Sequence, residues 1–354
     1  MTDADALGKR VYGLDSLRGF AGLSVVSYHF VREYGVTFND GAQQAWMDRY
    51  AHYGVEIFFI ISGFVMFLTL SRSPSLWRFI VARIARLAPA FYCCLVITTV
   101  VMALHPLPQL PCPTALKLAA NLTMAPELLG HEPMDWSYWT LGYEFVFYAM
   151  IGTLFVRRGM RHIDWYCLAW MAASAVTQLA MAHIPQRVGE VLLIGYGQFF
   201  IIGIALYRFH VGQATRLTAL ALMVAIGLSG FGASWRAPTP GWLYCAVTLI
   251  LTGLAWLAIT DRIPRLIRTP FAWVATISFP LFLIHQFVGY QIIAALRAAG
   301  HPHWASAAIA TLCSVAMAVL IYRFVELPAR PWIRRILAPR KKIEMAPATP
   351  GAGG

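Results

Sequence analysis

Ten runs of 17 to 26 mostly apolar residues recur along the chain, at 14–31, 52–70, 79–104, 137–156, 163–181, 188–207, 216–232, 241–259, 272–297 and 304–324. A helix of about 20 such residues crosses the hydrocarbon core of a bilayer. The runs exclude most soluble folds. The chain has 354 residues, is 59% hydrophobic and only 12% charged, about half the charge of a soluble domain, so it lacks the polar surface to hide ten such runs. Backbone polar groups inside lipid must be satisfied within the segment, which favours helices. The expectation is an all-α, polytopic integral membrane protein with about ten transmembrane helices.

The net charge of +12 raises the possibility of nucleic-acid binding, but its distribution has a simpler meaning. Placing the N-terminus in the cytoplasm puts 22 of the 28 Lys and Arg residues on the inner side. The other 6, Arg32, Arg49, Lys117, Arg187, Arg236 and Arg297, fall outside. That alternation is the positive-inside pattern and predicts an even number of spans with both termini cytoplasmic; no nucleic-acid partner is needed. The organisation expected is a cytoplasmic N-terminus at 1–12, a transmembrane domain at 13–336 and a disordered, basic then Ala/Pro/Gly-rich tail at 337–354. The first span holds Asp15 and Arg18 and lacks a small-x-small cleavage site, unlike a signal peptide. Five of the six Cys lie in apolar runs, suited to packing rather than to a disulfide framework or a metal site. Asn121-Leu-Thr123 is formally a glycosylation sequon.

Ionisable residues inside a span are costly and face partners or cavities. Arg18 and His29 are 11 residues apart, about 1100° of α-helix, so they share a face roughly 16 Å apart along the axis. Gly22 lies near the same stripe and leaves room for a helix or a slender ligand. The plainer alternative is that Arg18 pairs with Asp15 or snorkels, and that His29 only packs. Glu56, Glu144 and His285 fall at mid-to-outer depth on three other spans. With His29 they form the set that proton transfer needs, or else a set of interhelical hydrogen bonds. Arg83 and Arg86, with Arg78 a turn away, sit at the inner end of the third span. Guanidinium clusters suit a phosphorylated ligand, and also plain positive-inside anchoring.

Six blocks in these regions resemble the signatures of the acyltransferase-3 family. They are Gly13-Leu-Asp-Ser-Leu-Arg18 with His29 following, Gly54-Val-Glu-Ile-Phe-Phe-Ile-Ile-Ser-Gly-Phe64, Arg83-Ile-Ala-Arg86-Leu-Ala-Pro-Ala-Phe-Tyr92, Trp139-Thr-Leu-Gly-Tyr-Glu144-Phe-Val-Phe-Tyr148, Ser278-Phe-Pro-Leu-Phe-Leu-Ile-His285 and Val325-Glu-Leu-Pro-Ala-Arg330. They stand in family order over nearly the whole chain. Glu56 replaces the more common Asp, and Phe279 and Phe282 stand where Tyr is frequent. The resemblance implies a ten-helix domain of a bacterial inner membrane. Such a domain moves an acyl group, usually acetyl, from cytoplasmic acyl-CoA to a hydroxyl of a cell-envelope glycan or lipid-linked glycan, without a metal. The C-terminal hydrolase-like domain of some members is not expected here. In this reading Arg18, Arg83, Arg86 and Arg78 bind acyl-CoA, and His29 is the base or carries the acyl group. Glu144 or Glu56 orients its imidazole, and His285 is a second acid/base or acceptor-binding group. Two other readings are acylation of a small metabolite or lipid-linked sugar on the cytoplasmic side, and a proton-coupled transporter that uses the His/Glu set as a relay.

Overall fold

The computed structural model describes residues 12–40, 46–179, 193, 195–232 and 239–337. The expected N-terminal segment, the tail beyond Leu337, the start of the sixth run, Arg187 and Arg236 lie outside the described residues. Among the described residues there is no strand. A helix occupies every apolar run: α1 (Tyr12–Ser27), α2 (Gly54–Arg72), α3 (Leu76–Leu104), α4 (Trp139–Val156), α5 (Ile163–Leu179), α6 (Gly197–His210), α7 (Arg216–Gly232), α8 (Gly241–Ile259), α9 (Arg265–Ala298) and α10 (His303–Ile321). α1 continues through a π-turn, Tyr28–Glu33, and α10 continues through another, Tyr322–Glu326, into α11 (Leu327–Leu337). Six described helices are long and apolar enough to cross a membrane: those over Tyr50–Arg72, Leu76–Leu104, Trp136–Val156, Gly241–Ile259, Ile267–Ala298 and His303–Leu337. The protein is therefore an all-helical, multi-pass membrane protein.

The described part of α6 is 14 residues long, too short to be among the six, and it lies in the core. Every residue from Gly197 to Tyr207 is buried, which makes it a core helix of the bundle. It packs along α2 so closely that a Cβ on Gly63 would overlap the Phe200 carbonyl, and one on Gly203 the Ile60 carbonyl. Small residues permit this backbone contact, the usual means of helix association in membranes. α9 is the second axis of the bundle and packs most extensively on α1, then on α10 and α3. α3 and α4 by contrast barely touch each other. The space they leave is bounded by α1, α2 and α9.

The Pro-rich stretch between α3 and α4 is an ordered cap. Asn121 is fully buried; its amide donates to the Lys117 and Glu132 carbonyls, and its oxygen accepts from Met134 N at 2.8 Å. A side chain so used carries no glycan, which removes the sequon. Asp135 is also fully buried, accepting from Ser137 N and from Phe287 N, both at 2.9 Å, and so pins the head of α4 to α9. All six Cys are free thiols.

Candidate functional site

Helical periodicity turns one face of α2 inward. Val55, Phe58, Ser62 and Val65 recur at three- and four-residue spacing and line a chamber between α1, α3, α4 and α9. The same spacing brings in Arg83, Arg86 and Leu87 from α3, Glu144 and Tyr148 from α4, and Ser278 and Phe282 from α9. Arg18 of α1 completes this arginine chamber, a space of about 80 Å³. Glu144 is held from two sides, by Ser62 Oγ at 2.7 Å and Tyr148 Oη at 2.6 Å. Arg83 reaches Thr69 Oγ1 at 3.5 Å and lies 5.5 Å from the Phe79 ring centroid, while its buried Nε has no partner among the described residues.

Arg18, Arg83 and Arg86 also line a wider mouth of about 380 Å³, to which the chain end contributes Arg330 and Arg334. Its acidic members are Asp15 and Glu326. Arg18 pairs with Asp15 at 3.5 Å, and Arg330 is hydrogen-bonded to Glu326. The plainer reading of Arg18 is thus correct as to its partner, yet the side chain still lines both cavities. Five guanidinium groups against two carboxylates leave the mouth suited to a polyanion. Arg78 is exposed at the start of α3 and lines neither cavity. Five residues separate it from Arg83, about 140° around the helix.

A second pocket of about 340 Å³ lies beyond the chamber, lined by His29, His52, Glu56, Trp139, Tyr196 and Tyr244 among others. Val55 and Phe282 line both spaces. Phe58 and Phe282 meet edge to face there, centroids 5.8 Å apart. Of the four residues expected to cluster, His29 and His285 do meet. His29 Nδ1 lies 2.7 Å from His285 Nε2, with ring planes 13° apart. Glu56 shares the pocket with His29, but its partner is Tyr244, whose hydroxyl donates at 2.5 Å. Glu144 belongs to the arginine chamber.

The orienting group expected for His29 was Glu144 or Glu56; His285 takes that place. Val55 and Glu56 are consecutive on α2 and so point about 100° apart, Val55 between the two spaces and Glu56 towards α8. The imidazole pair has a defined proton order. His285 Nδ1 lies 2.9 Å from the Phe282 carbonyl, which only accepts, so this nitrogen carries the proton and Nε2 accepts. His29 must then donate through Nδ1, and its Nε2 keeps the lone pair. His29 Nε2 has no hydrogen-bond partner among the described residues, and the ring lines the pocket. The π-turn begins one residue before His29, and Phe30 fits its ring into the notch at Gly289. This seats the turn against α9 beside His285. π-turns concentrate at functional sites.

Several residues escaped sequence reasoning. Ser62 and Tyr148 lie inside recognisable blocks but carry no charge to mark them, and Tyr244 lies outside every block. Arg330 and Arg334 are i, i+4 neighbours, and that spacing was the available signal. Among the described residues no three His, Cys, Asp or Glu side chains converge as a metal site.

The family model of the acyltransferase-3 group, described as an acyltransferase domain, matches residues 11–323. The chain is similar to the exopolysaccharide production protein ExoZ of Rhizobium meliloti, 27% identical over 311 residues that cover 83% of this chain and 93% of the relative. No solved structure matches.

Proposed function

The chain belongs to the acyltransferase-3 family, and from that premise we propose that it is a membrane O-acyltransferase moving an acyl group, acetyl above all, from cytoplasmic acyl-CoA to a hydroxyl of a cell-envelope or exported polysaccharide. One observation carries the reading. The imidazole pair leaves His29 Nε2 as a base in a pocket that adjoins, across Val55 and Phe282, a chamber of three arginines. The name of the Rhizobium relative supports the acceptor class. The charge split supports ten passes, with both termini and the arginine mouth on the cytoplasmic side of a bacterial inner membrane.

Arg18, Arg83 and Arg86, with Arg330 and Arg334 at the mouth, bind the donor's phosphates. Gly22 stands beside the path proposed for the slender pantetheine arm. A Cβ there would come within 3.8 Å of Phe58 Cζ and Ser278 Cβ, both chamber walls. His29 Nε2 takes the proton of the acceptor hydroxyl as its oxygen attacks the thioester carbonyl. The new C–O bond forms, the C–S bond breaks, and His29 returns the proton to the departing thiolate. While His29 is charged, its Nδ1–H bond to His285 is charge-assisted and strengthens.

Purified protein in vesicles tests this with radiolabelled acetyl-CoA. Wild type consumes the donor, which a proton-coupled transporter would not do. His29→Ala lowers transfer by about 10²–10⁴-fold, and Arg18→Ala lowers it at limiting acetyl-CoA through weaker donor binding. Wild-type rates in both variants at equal expression overturn the mechanism.

A lipid-linked sugar as acceptor has one observation in its favour. An apolar groove of about 710 Å³ runs between α3 and α4 and meets the arginine chamber at Arg83, Leu87 and Tyr148. Acetylation of a polyprenyl-linked sugar in the same vesicles, with free polysaccharide left unmodified, selects that reading.

A further inference from the structure

We infer that Glu56 selects the acceptor by taking a hydrogen bond from a second hydroxyl of the same sugar unit whose first hydroxyl His29 deprotonates. The inference rests on the histidine pocket being the acceptor site. Glu56 is 2% exposed. Its Oε1 accepts from Tyr244, while its buried Oε2 has no partner among the described residues. A buried carboxylate oxygen without a donor is costly, and natural structures retain one where a ligand supplies the donor. The side chain is not needed to orient His29, because His285 already occupies Nδ1.

The rest of the pocket suits a pyranoside. Trp139 and Tyr196 stand side by side, centroids 4.9 Å apart, and both line the pocket with Glu56. Aromatic faces of this kind pack against the C–H faces of a sugar ring, and their polar edges tolerate its hydroxyls. Glu56 comes from α2 and His29 from α1, so the two functional atoms approach the ring from different helices. A sugar presenting one hydroxyl to each is held in a single orientation, and the acetyl group then goes to one position of the ring. A site built to bond a hydroxyl rejects an analogue lacking it far more strongly than an apolar site rejects a wrong size.

The experiment uses the full chain in vesicles with acetyl-CoA, methyl β-glucopyranoside and the singly deoxygenated forms of that glycoside. Wild type is expected to lose about 10- to 100-fold in kcat/KM with one deoxy form, the loss typical of a hydrogen bond to a charged group. Glu56→Gln, which keeps the Tyr244 contact through its own carbonyl oxygen, is expected to lose a similar factor with the parent glycoside. It should lose no more with that deoxy form. Acetyl-CoA binding, measured separately, stays within twofold and shows that the variant is folded. A Glu56→Gln variant that loses the same factor on every analogue, or that loses acetyl-CoA binding, overturns the assignment while leaving the acyltransferase reading intact. A wild type that binds acetyl-CoA yet acetylates none of the glycosides overturns the pyranoside acceptor site, and this assignment with it.

Discussion

The arginine chamber and the histidine pocket share Val55 and Phe282 as walls, yet they are built on opposite principles. The chamber gathers like charges from α1 and α3 and offsets them with Glu144 and Asp15. On the proposed function its contribution is binding, available to a polyanion before any bond changes. The pocket places two imidazoles nose to tail and fixes their protons through one backbone carbonyl. Its contribution is a lone pair at a defined place, which matters when a proton moves. Damage to the chamber should therefore appear in donor affinity, and damage to the pocket in turnover.

The largest expected effect breaks that comparison most directly. His29→Ala should lower turnover by about 10²–10⁴-fold and leave acetyl-CoA affinity within twofold, read by transfer assay and equilibrium binding on the same preparation. A matched loss of affinity would mean that the two spaces are one site. The paired change Arg83→Ala with Arg86→Ala should raise the donor KM by about 10- to 100-fold and leave kcat nearly unchanged. Arg78→Ala, at an exposed position, should do neither, and KM measured over a salt series separates the two sites. His285→Ala should lower kcat by about 10-fold or more with donor KM unchanged. It should also move the pH–rate profile, because His29 loses the acceptor that fixed its tautomer; a profile that stays in place would make His285 mere packing.

The smallest effect concerns the frame of the pocket. Asp135 lies just before the span that starts at Trp136, and burial raises its carboxyl from 3.8 to about 6, against the hydrogen bonds from Phe287 and Ser137. The folded protein thus holds this proton more tightly than the unfolded chain. Its contribution favours folding below about pH 4 and is lost as pH rises to about 6, by up to about 3 kcal/mol. Thermal unfolding followed from pH 4 to 7 should show this decline, and Asp135→Asn should flatten it.

Much of the fold was legible because membrane spans are written locally. A run of about 20 apolar residues needs no partner to be recognised, and each of the ten runs holds a helix. That Arg83 and Arg86 line one cavity was legible for a similar reason, since residues three apart on a helix share a face; Arg18, on another helix, was set beside them only by the family resemblance. The partners of the buried polar groups were not legible. His29 and His285 are 256 positions apart, and Glu56 and Tyr244 are 188 apart. No periodicity within a single helix chooses between Glu144, Glu56 and His285 as the neighbour of an imidazole. The groove between α3 and α4 was equally hidden, because it consists of contacts that two adjacent helices fail to make.

The sequence by itself determined that the chain is helical and membrane-bound, that it carries the family's charged positions in order, and that one helix bears Arg18 and His29 on a shared stripe. The first and last are consequences of composition and of a 3.6-residue repeat; the second is what the motif resemblance implies. The tertiary structure decided which groups those residues face. It inserted a π-turn at His29, drew α9 against α1 so that His285 rather than a carboxylate meets the imidazole, and turned Glu56 away towards Tyr244. The physical reason is packing. Side chains such as Phe30 at Gly289 and Phe58 at Phe282 fix how far each helix is rotated, and that rotation settles which polar atoms meet.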